Sequence, residues 1–158
     1  MTDSAARTIQ AEDESRTRAL AAAIAGLAEA GDVIALKGDL GSGKTVFARA
    51  FIAALGGLGE VPSPTFTLVQ IYDLAAARVF HFDLYRLEKP EDALELDIDD
   101  AFADGISLIE WPEKLGAYLP PRALLVSFGF DVPEFARRIE LEASGAWADR
   151  IERIEAGV

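Results

Sequence analysis

Hydrophobic and polar positions divide this chain into alternating strand-like and helix-like stretches. Val33-Ile34-Ala35-Leu36 is an unbroken apolar run, as in a strand buried on both faces of a parallel sheet. It is preceded by a helical pattern over Glu12 to Ala30, where Leu20, Ile24 and Leu27 share one stripe and Gly31-Asp32 closes the segment. From Val46 to Leu55 apolar residues again recur at helical spacing (Phe47, Ala50, Phe51, Ala54), and Gly56-Gly57 gives a stop. Two strands are predicted at Thr67 to Tyr72 and Arg78 to Phe82. Their connection, Asp73 to Ala77, is too short for a crossover and predicts an antiparallel hairpin.

Further along, Pro90 opens a short acidic helix over Glu91 to Leu96, and Ile106 to Glu110 is an apolar strand ending in an acid. Strands follow at Ala123 to Phe130 and Arg137 to Leu141, then a last helix over Trp147 to Ile154; Ala6 to Ile9 offers an edge strand. The expected fold is α/β: a P-loop NTPase-like three-layer domain with a mixed, mostly parallel sheet and one antiparallel hairpin. It forms a single domain over residues 1–158, with 1–11 and 146–158 peripheral.

The candidate chemistry lies between the first buried strand and the helix after it. Gly38-Asp39-Leu40-Gly41-Ser42-Gly43-Lys44-Thr45 fits G-x-x-x-x-G-K-[ST] in the strand–loop–helix context that this motif requires. Its glycines let backbone N–H groups converge on one point, and the helix start adds partial positive charge there. Lys44 would reach the outer phosphates of a nucleoside triphosphate, and the Thr45 hydroxyl would bind Mg²⁺ beside a phosphate oxygen.

Two acids end apolar strands and suit Mg²⁺ opposite Thr45: Asp83, in His81-Phe82-Asp83-Leu84-Tyr85-Arg86, and Glu110. The residues alone do not rank them. One would ligate the cation and the other would position water. Ser63 and Thr65 carry hydroxyls in a proline- and glycine-rich loop that is either a nucleotide switch or an ordinary turn. Trp111 either stacks near the nucleotide or caps the core. His81, the only histidine, reads as a packed or hydrogen-bonded strand residue, since no G-x-S-x-G elbow accompanies it. Asp97-Ile98-Asp99-Asp100 lacks the glycine and terminal glutamate of a calcium loop and reads as a solvated helix start.

Charge and composition narrow the partners. A formal net charge of −12 opposes a direct grip on nucleic acid, so contact with an RNA pathway is expected through proteins. The chain has no cysteine, which removes disulfides, thiolate zinc sites and cysteine nucleophiles. No apolar run reaches the length of a membrane span and Met1-Thr2-Asp3-Ser4 lacks a signal pattern; a soluble cytoplasmic protein is expected. No asparagine is present, so the N-K-x-D form of the guanine-reading motif is absent.

Over roughly Glu12 to Leu141 the chain resembles the TsaE family (older name YjeE), bacterial ATPases of the tRNA threonylcarbamoyladenosine pathway. Four blocks in order carry the resemblance: Gly38 to Thr45, Ser63-Pro64-Thr65-Phe66, His81 to Arg86, and Glu110-Trp111-Pro112-Glu113. It implies binding of ATP with Mg²⁺, slow hydrolysis alone, and association with the TsaB–TsaD pair that modifies adenosine 37 of tRNAs reading ANN codons. Hydrolysis would reset that complex between turnovers.

By the same resemblance Lys44 holds phosphates, Thr45 and Glu110 ligate Mg²⁺, and Asp83 is the acid near the γ-phosphate. Ser63 and Thr65 form the switch segment, with Thr65 joining Lys44, Asp83 and Glu110 as catalytic residues. Asp39, Leu40, Gly41, Ser42 and Gly43 line the nucleotide with Lys44, Thr45 and Trp111. Glu12 to Thr17 and Arg137-Arg138, with Arg138 as the contact, frame the adenine or ribose. Two rival activities remain: a small-molecule kinase, whose only candidate insert, Lys89 to Asp104, is acidic, and a nucleotide-sensing module without turnover.

Overall fold

The computed structural model describes residues 4–57 and 68–154. The switch candidates Ser63 and Thr65, and the whole Ser63 to Phe66 block, lie outside the described residues. Among the described residues seven strands form one sheet: β1 (Ser4–Ala11), β2 (Val33–Lys37), β3 (Val69–Asp73), β4 (Arg78–Asp83), β5 (Ile106–Glu110), β6 (Leu124–Phe130) and β7 (Arg137–Ser144). Their order is β1-β7-β6-β2-β5-β4-β3. The middle of the sheet is parallel, with β2 between β6 and β5 and β4 beyond β5. β3 and β4 form the antiparallel hairpin expected from their short connection. The opposite edge adds antiparallel pairs of β7 with β6 and with β1.

Four α-helices among the described residues pack on this sheet: α1 (Glu14–Leu27), α2 (Lys44–Ala54), α3 (Ile98–Asp104) and α4 (Ala146–Arg150). Asp13 caps α1, its carboxylate accepting from the Arg16 N–H at 3.2 Å, so the helix starts two residues inside the predicted range. The stretch after Pro90 is a 3-10 helix over Pro90–Leu96, and Asp97 to Asp100 open α3 with their three acids exposed, as a solvated helix start.

Strand alternation sorts the core into two clusters, one on each face. Ile34, Leu36, Val79, Ile106 and Leu108 face α1 and α2, meeting Leu20, Ile24, Phe47 and Phe51. Val33, Phe80, Phe82 and Ile109 face the other way, onto Ala93, Ile98, Ala101 and Leu115. This is a three-layer arrangement. Of the two terminal segments expected to be peripheral, the described residues enter the core through Ile9, Ala11, Trp147 and Ile151. Helix α4 is held besides by Arg150, which pairs with Asp32 at 2.6 Å and Glu29 at 3.0 Å.

The alternation also fixes where function can lie. Val79 faces α2, so His81 and Asp83, two and four residues on, face α2 as well. Likewise Ile106 and Leu108 place Glu110 on that face. Asp83 and Glu110 are register partners at the carboxyl ends of β4 and β5, beside the start of α2.

Candidate functional site

The turn from β2 into α2 is close-packed. At Gly38 a Cβ would lie 2.5 Å from Ser42 Oγ and 2.9 Å from the Phe128 carbonyl oxygen, so no larger residue fits. Gly43, immediately before α2, has φ of 116°, which glycine adopts without strain. The Ser42 N–H donates to the Asp39 carbonyl at 3.1 Å and closes the turn.

Arg137, at the start of β7, braces this loop from the side. Its Nε donates to the Ser42 carbonyl at 3.1 Å and its Nη2 to the Gly41 carbonyl at 3.2 Å. Its Nη1 donates to the carbonyls of Glu134 and Ala136, both at 2.8 Å. A planar fork can serve carbonyls on two segments at once.

A cavity of about 500 Å³ opens at the start of α2, within the usual range for a small-molecule site. Lys44 and Thr45 enter it from α2, Asp83 from β4, and Glu110 with Trp111 from the end of β5. The Lys44 ammonium donates to the Gly38 carbonyl and lies over the Trp111 ring, 3.5 Å from its centre. Burial holds the Lys44 pKa below the ordinary lysine value, while Glu110, Glu113, Asp83 and Asp39 pull it up. Asp83 moves the other way. Burial raises its carboxyl pKa, the Tyr85 N–H it accepts at 3.1 Å opposes the rise, and the Glu110 charge adds to it.

Glu110 is 3% exposed and divides its two oxygens. Oε1 lies 3.5 Å from Thr45 Oγ1, and Oε2 lies 2.8 Å from His81 Nε2. A hydroxyl and a carboxylate oxygen side by side at the cavity fit a hard divalent cation that keeps waters and takes phosphate oxygens for its remaining ligands. Among the described residues no cluster of three or more acids or histidines could hold a metal unaided.

Of the residues singled out from sequence, Leu40, Gly41, Gly43, Lys44, Thr45, Asp83, Glu110 and Trp111 line this cavity. Asp39 is exposed and Ser42 fully buried, and neither side chain is in the lining. Arg138 is also outside it. The residue that lines the cavity is its neighbour Arg137, because Ile139 and Leu141 face α2 and odd-numbered positions of β7 share that face. Exposed Arg138 lies on the opposite face and pairs with half-buried Glu140 at 3.3 Å. Glu14 and Thr17, from the Glu12 to Thr17 segment, do line the cavity.

The Trp111 ring meets Lys44 and, 5.0 Å between centres, Tyr85, while part of it packs on the core cluster that holds Val33, Phe82 and Ile109, as expected of a residue that caps the core. Its left-handed backbone, φ 61° and ψ 53°, is costly for a bulky residue before proline and turns the chain out of the sheet. Phe135 also lines the cavity and was not singled out from sequence; the one signal there is an apolar aromatic in the polar, proline-bearing stretch before β7, and its 66% exposure is known only from the structure.

A parallel-centred α/β sheet, a phosphate-loop sequence at the turn into α2, and a lysine, a hydroxyl and two acids sharing one cavity define a phosphate-loop type of domain. The family model for TsaE, described as threonylcarbamoyl adenosine biosynthesis protein TsaE, matches residues 11–139, and the chain belongs to this family. It is 46% identical over 112 residues to the tRNA threonylcarbamoyladenosine biosynthesis protein TsaE of Haemophilus influenzae, covering 70% of each chain. The Bacillus subtilis TsaE is 37% identical over 121 residues, 76% of this chain and 73% of that one. The crystal structure of Bacillus subtilis YdiB superposes with a TM-score of 0.81 at 28% identity, covering 95% of this chain and 94% of that one.

Proposed function

We propose that this protein is a Mg²⁺-dependent ATPase of tRNA N6-threonylcarbamoyladenosine formation. It acts on partner proteins of the TsaB and TsaD type and resets them by hydrolysis. The observation that carries the reading is the meeting of Lys44, Thr45, Asp83 and Glu110 in one cavity at the carboxyl ends of the parallel strands. Family membership supplies the pathway.

The Gly38 to Thr45 backbone binds the triphosphate tail, and Lys44 exchanges its Gly38 carbonyl for the outer phosphates. Thr45 and Glu110 hold Mg²⁺, which when bound offsets phosphate charge. Asp83, near the terminal phosphate, orients the attacking water. The acidic balance of the chain suits action on a protein, not a grip on tRNA.

Calorimetry with Mg-ATP, followed by phosphate release with and without a TsaB–TsaD preparation, tests the reading. Binding and partner-stimulated release are expected. Lys44→Ala and Thr45→Ala should abolish Mg-ATP binding or turnover, whereas Asp83→Ala and Glu110→Ala should impair turnover more than nucleotide binding. Equal loss of affinity in all four sinks this division of roles. Transfer of phosphate to a small acceptor without the partners would mark a kinase, and unchanged nucleotide after long incubation with them a sensor.

A further inference from the structure

His81 is 1% exposed and, through Nε2, touches the one acid that also faces Thr45. With Glu110 as a carboxylate, the contact at 2.8 Å requires Nε2–H as donor. The other ring nitrogen, Nδ1, is buried with no partner among the described residues. Strand packing alone does not call for this arrangement. The neighbouring positions on the same face, Val79 and Leu108, are aliphatic, and a buried polar pair is tolerated or costly compared with an apolar one.

We propose that His81 is a positioning residue. By holding Glu110 Oε2 it fixes the carboxylate so that Oε1 stays turned to Thr45, ready for Mg²⁺ that arrives with the nucleotide. This deepens the proposed function and rests on it.

The physical case is one of rotamers and solvent. A glutamate has three side-chain torsions, and at 3% exposure Glu110 has little water to hold the oxygen turned away from the cavity, which leaves that task to His81. His81 is itself held by β4, whose parallel pairing sets it opposite Leu108, two residues before Glu110. Asp83, two residues farther on the same face, cannot take over the task, because a carboxylate has no hydrogen to donate to Glu110 and repels it. Groups behind metal-ligating carboxylates act in this way, and losing one weakens metal binding by roughly 10- to 100-fold.

Isosteres supply the test. Glutamine can place an N–H near the reach of Nε2, whereas asparagine, equally polar, is too short. ADP binding is measured by calorimetry in Mg²⁺ and again in EDTA, on wild type and on His81→Leu, His81→Asn and His81→Gln. Wild type should bind more tightly with Mg²⁺. The Leu and Asn variants should lose at least about tenfold of that gain while keeping their EDTA affinity within about twofold, and the Gln variant should recover most of the gain.

If the Asn and Gln variants behave alike, or if affinity falls equally in Mg²⁺ and EDTA, His81 only supports the fold and the inference is overturned. Full retention of the gain in every variant overturns it too. Failure of wild type to bind ADP in either condition overturns the functional reading beneath it, and the two failures are thereby told apart.

Discussion

The ammonium of Lys44 sits 3.5 Å from the centre of the Trp111 ring. The cation is parked on an aromatic face and on the Gly38 carbonyl, contacts it must leave to reach a phosphate. Such a cation–π contact is worth about 0.5–2 kcal/mol, little enough for a triphosphate to displace. Saturating ATP should therefore change the tryptophan fluorescence. Trp147, the other tryptophan, is 2% exposed in the core cluster that faces α1 and α2 and does not line the cavity, and should give a constant background. In Trp111→Phe the change should vanish. Its persistence there would assign the signal elsewhere.

Arg137 and Arg138 should separate cleanly. Removing the guanidinium in Arg137→Ala frees the carbonyls of Gly41 and Ser42, and nucleotide affinity should fall roughly tenfold, by about 1.4 kcal/mol. Amide exchange at residues 41–43 should quicken in parallel. Lysine at 137 should not restore affinity, because an ammonium cannot serve carbonyls on two segments in one plane. Arg138→Ala, which breaks an exposed pair with Glu140, should leave affinity within about twofold. The reverse order in calorimetry would return Arg138 to the nucleotide.

Asp83 gives the stability a pH signature. Burial raises its folded pKa above the ordinary 3.8, so the folded state keeps a proton that the unfolded chain has already released. Its contribution is fully present below that ordinary value and is lost as pH rises through the raised one. Urea midpoints measured from about pH 3.5 to 7 should show Asp83→Asn gaining on wild type as pH rises. A difference between the two that does not vary with pH would refute this.

Gly38→Ala should destabilise the protein even without ligand. The added Cβ meets the Phe128 carbonyl, part of β6 and unable to move freely, as well as Ser42 Oγ. Overpacking of this kind costs about 1–3 kcal/mol, and the thermal midpoint should drop by about 2–4 °C per kcal/mol. An unchanged midpoint would mean that the loop gives way.

Much of this molecule could be read without coordinates where neighbours in the chain decide the matter. The apolar run of β2, the loop glycines and the periodic face of α2 are adjacent, so their geometry follows from local sterics and spacing, and the hairpin of β3 and β4 follows from a connection too short to cross over. Glu110 and Asp83 are both legible as acids ending strands; spacing alone does not say which stands against Thr45, and only the family resemblance points to Glu110.

That choice depends on how β5 and β4 lie beside β2, a register set by packing between residues far apart in sequence. Arg138 was preferred over Arg137 for the same reason: two adjacent arginines look alike in a string of letters, and only the face assigned to Ile139 and Leu141 separates them. The contact of His81 with Glu110 and the reach of Phe135 into the cavity likewise join distant segments. Sequence by itself determined the phosphate-loop turn and the elements on either side of it, because these are short-range. Tertiary structure alone decided which side chains converge on that turn, because a strand shows each face only at every second residue and the burial of the whole sheet selects which.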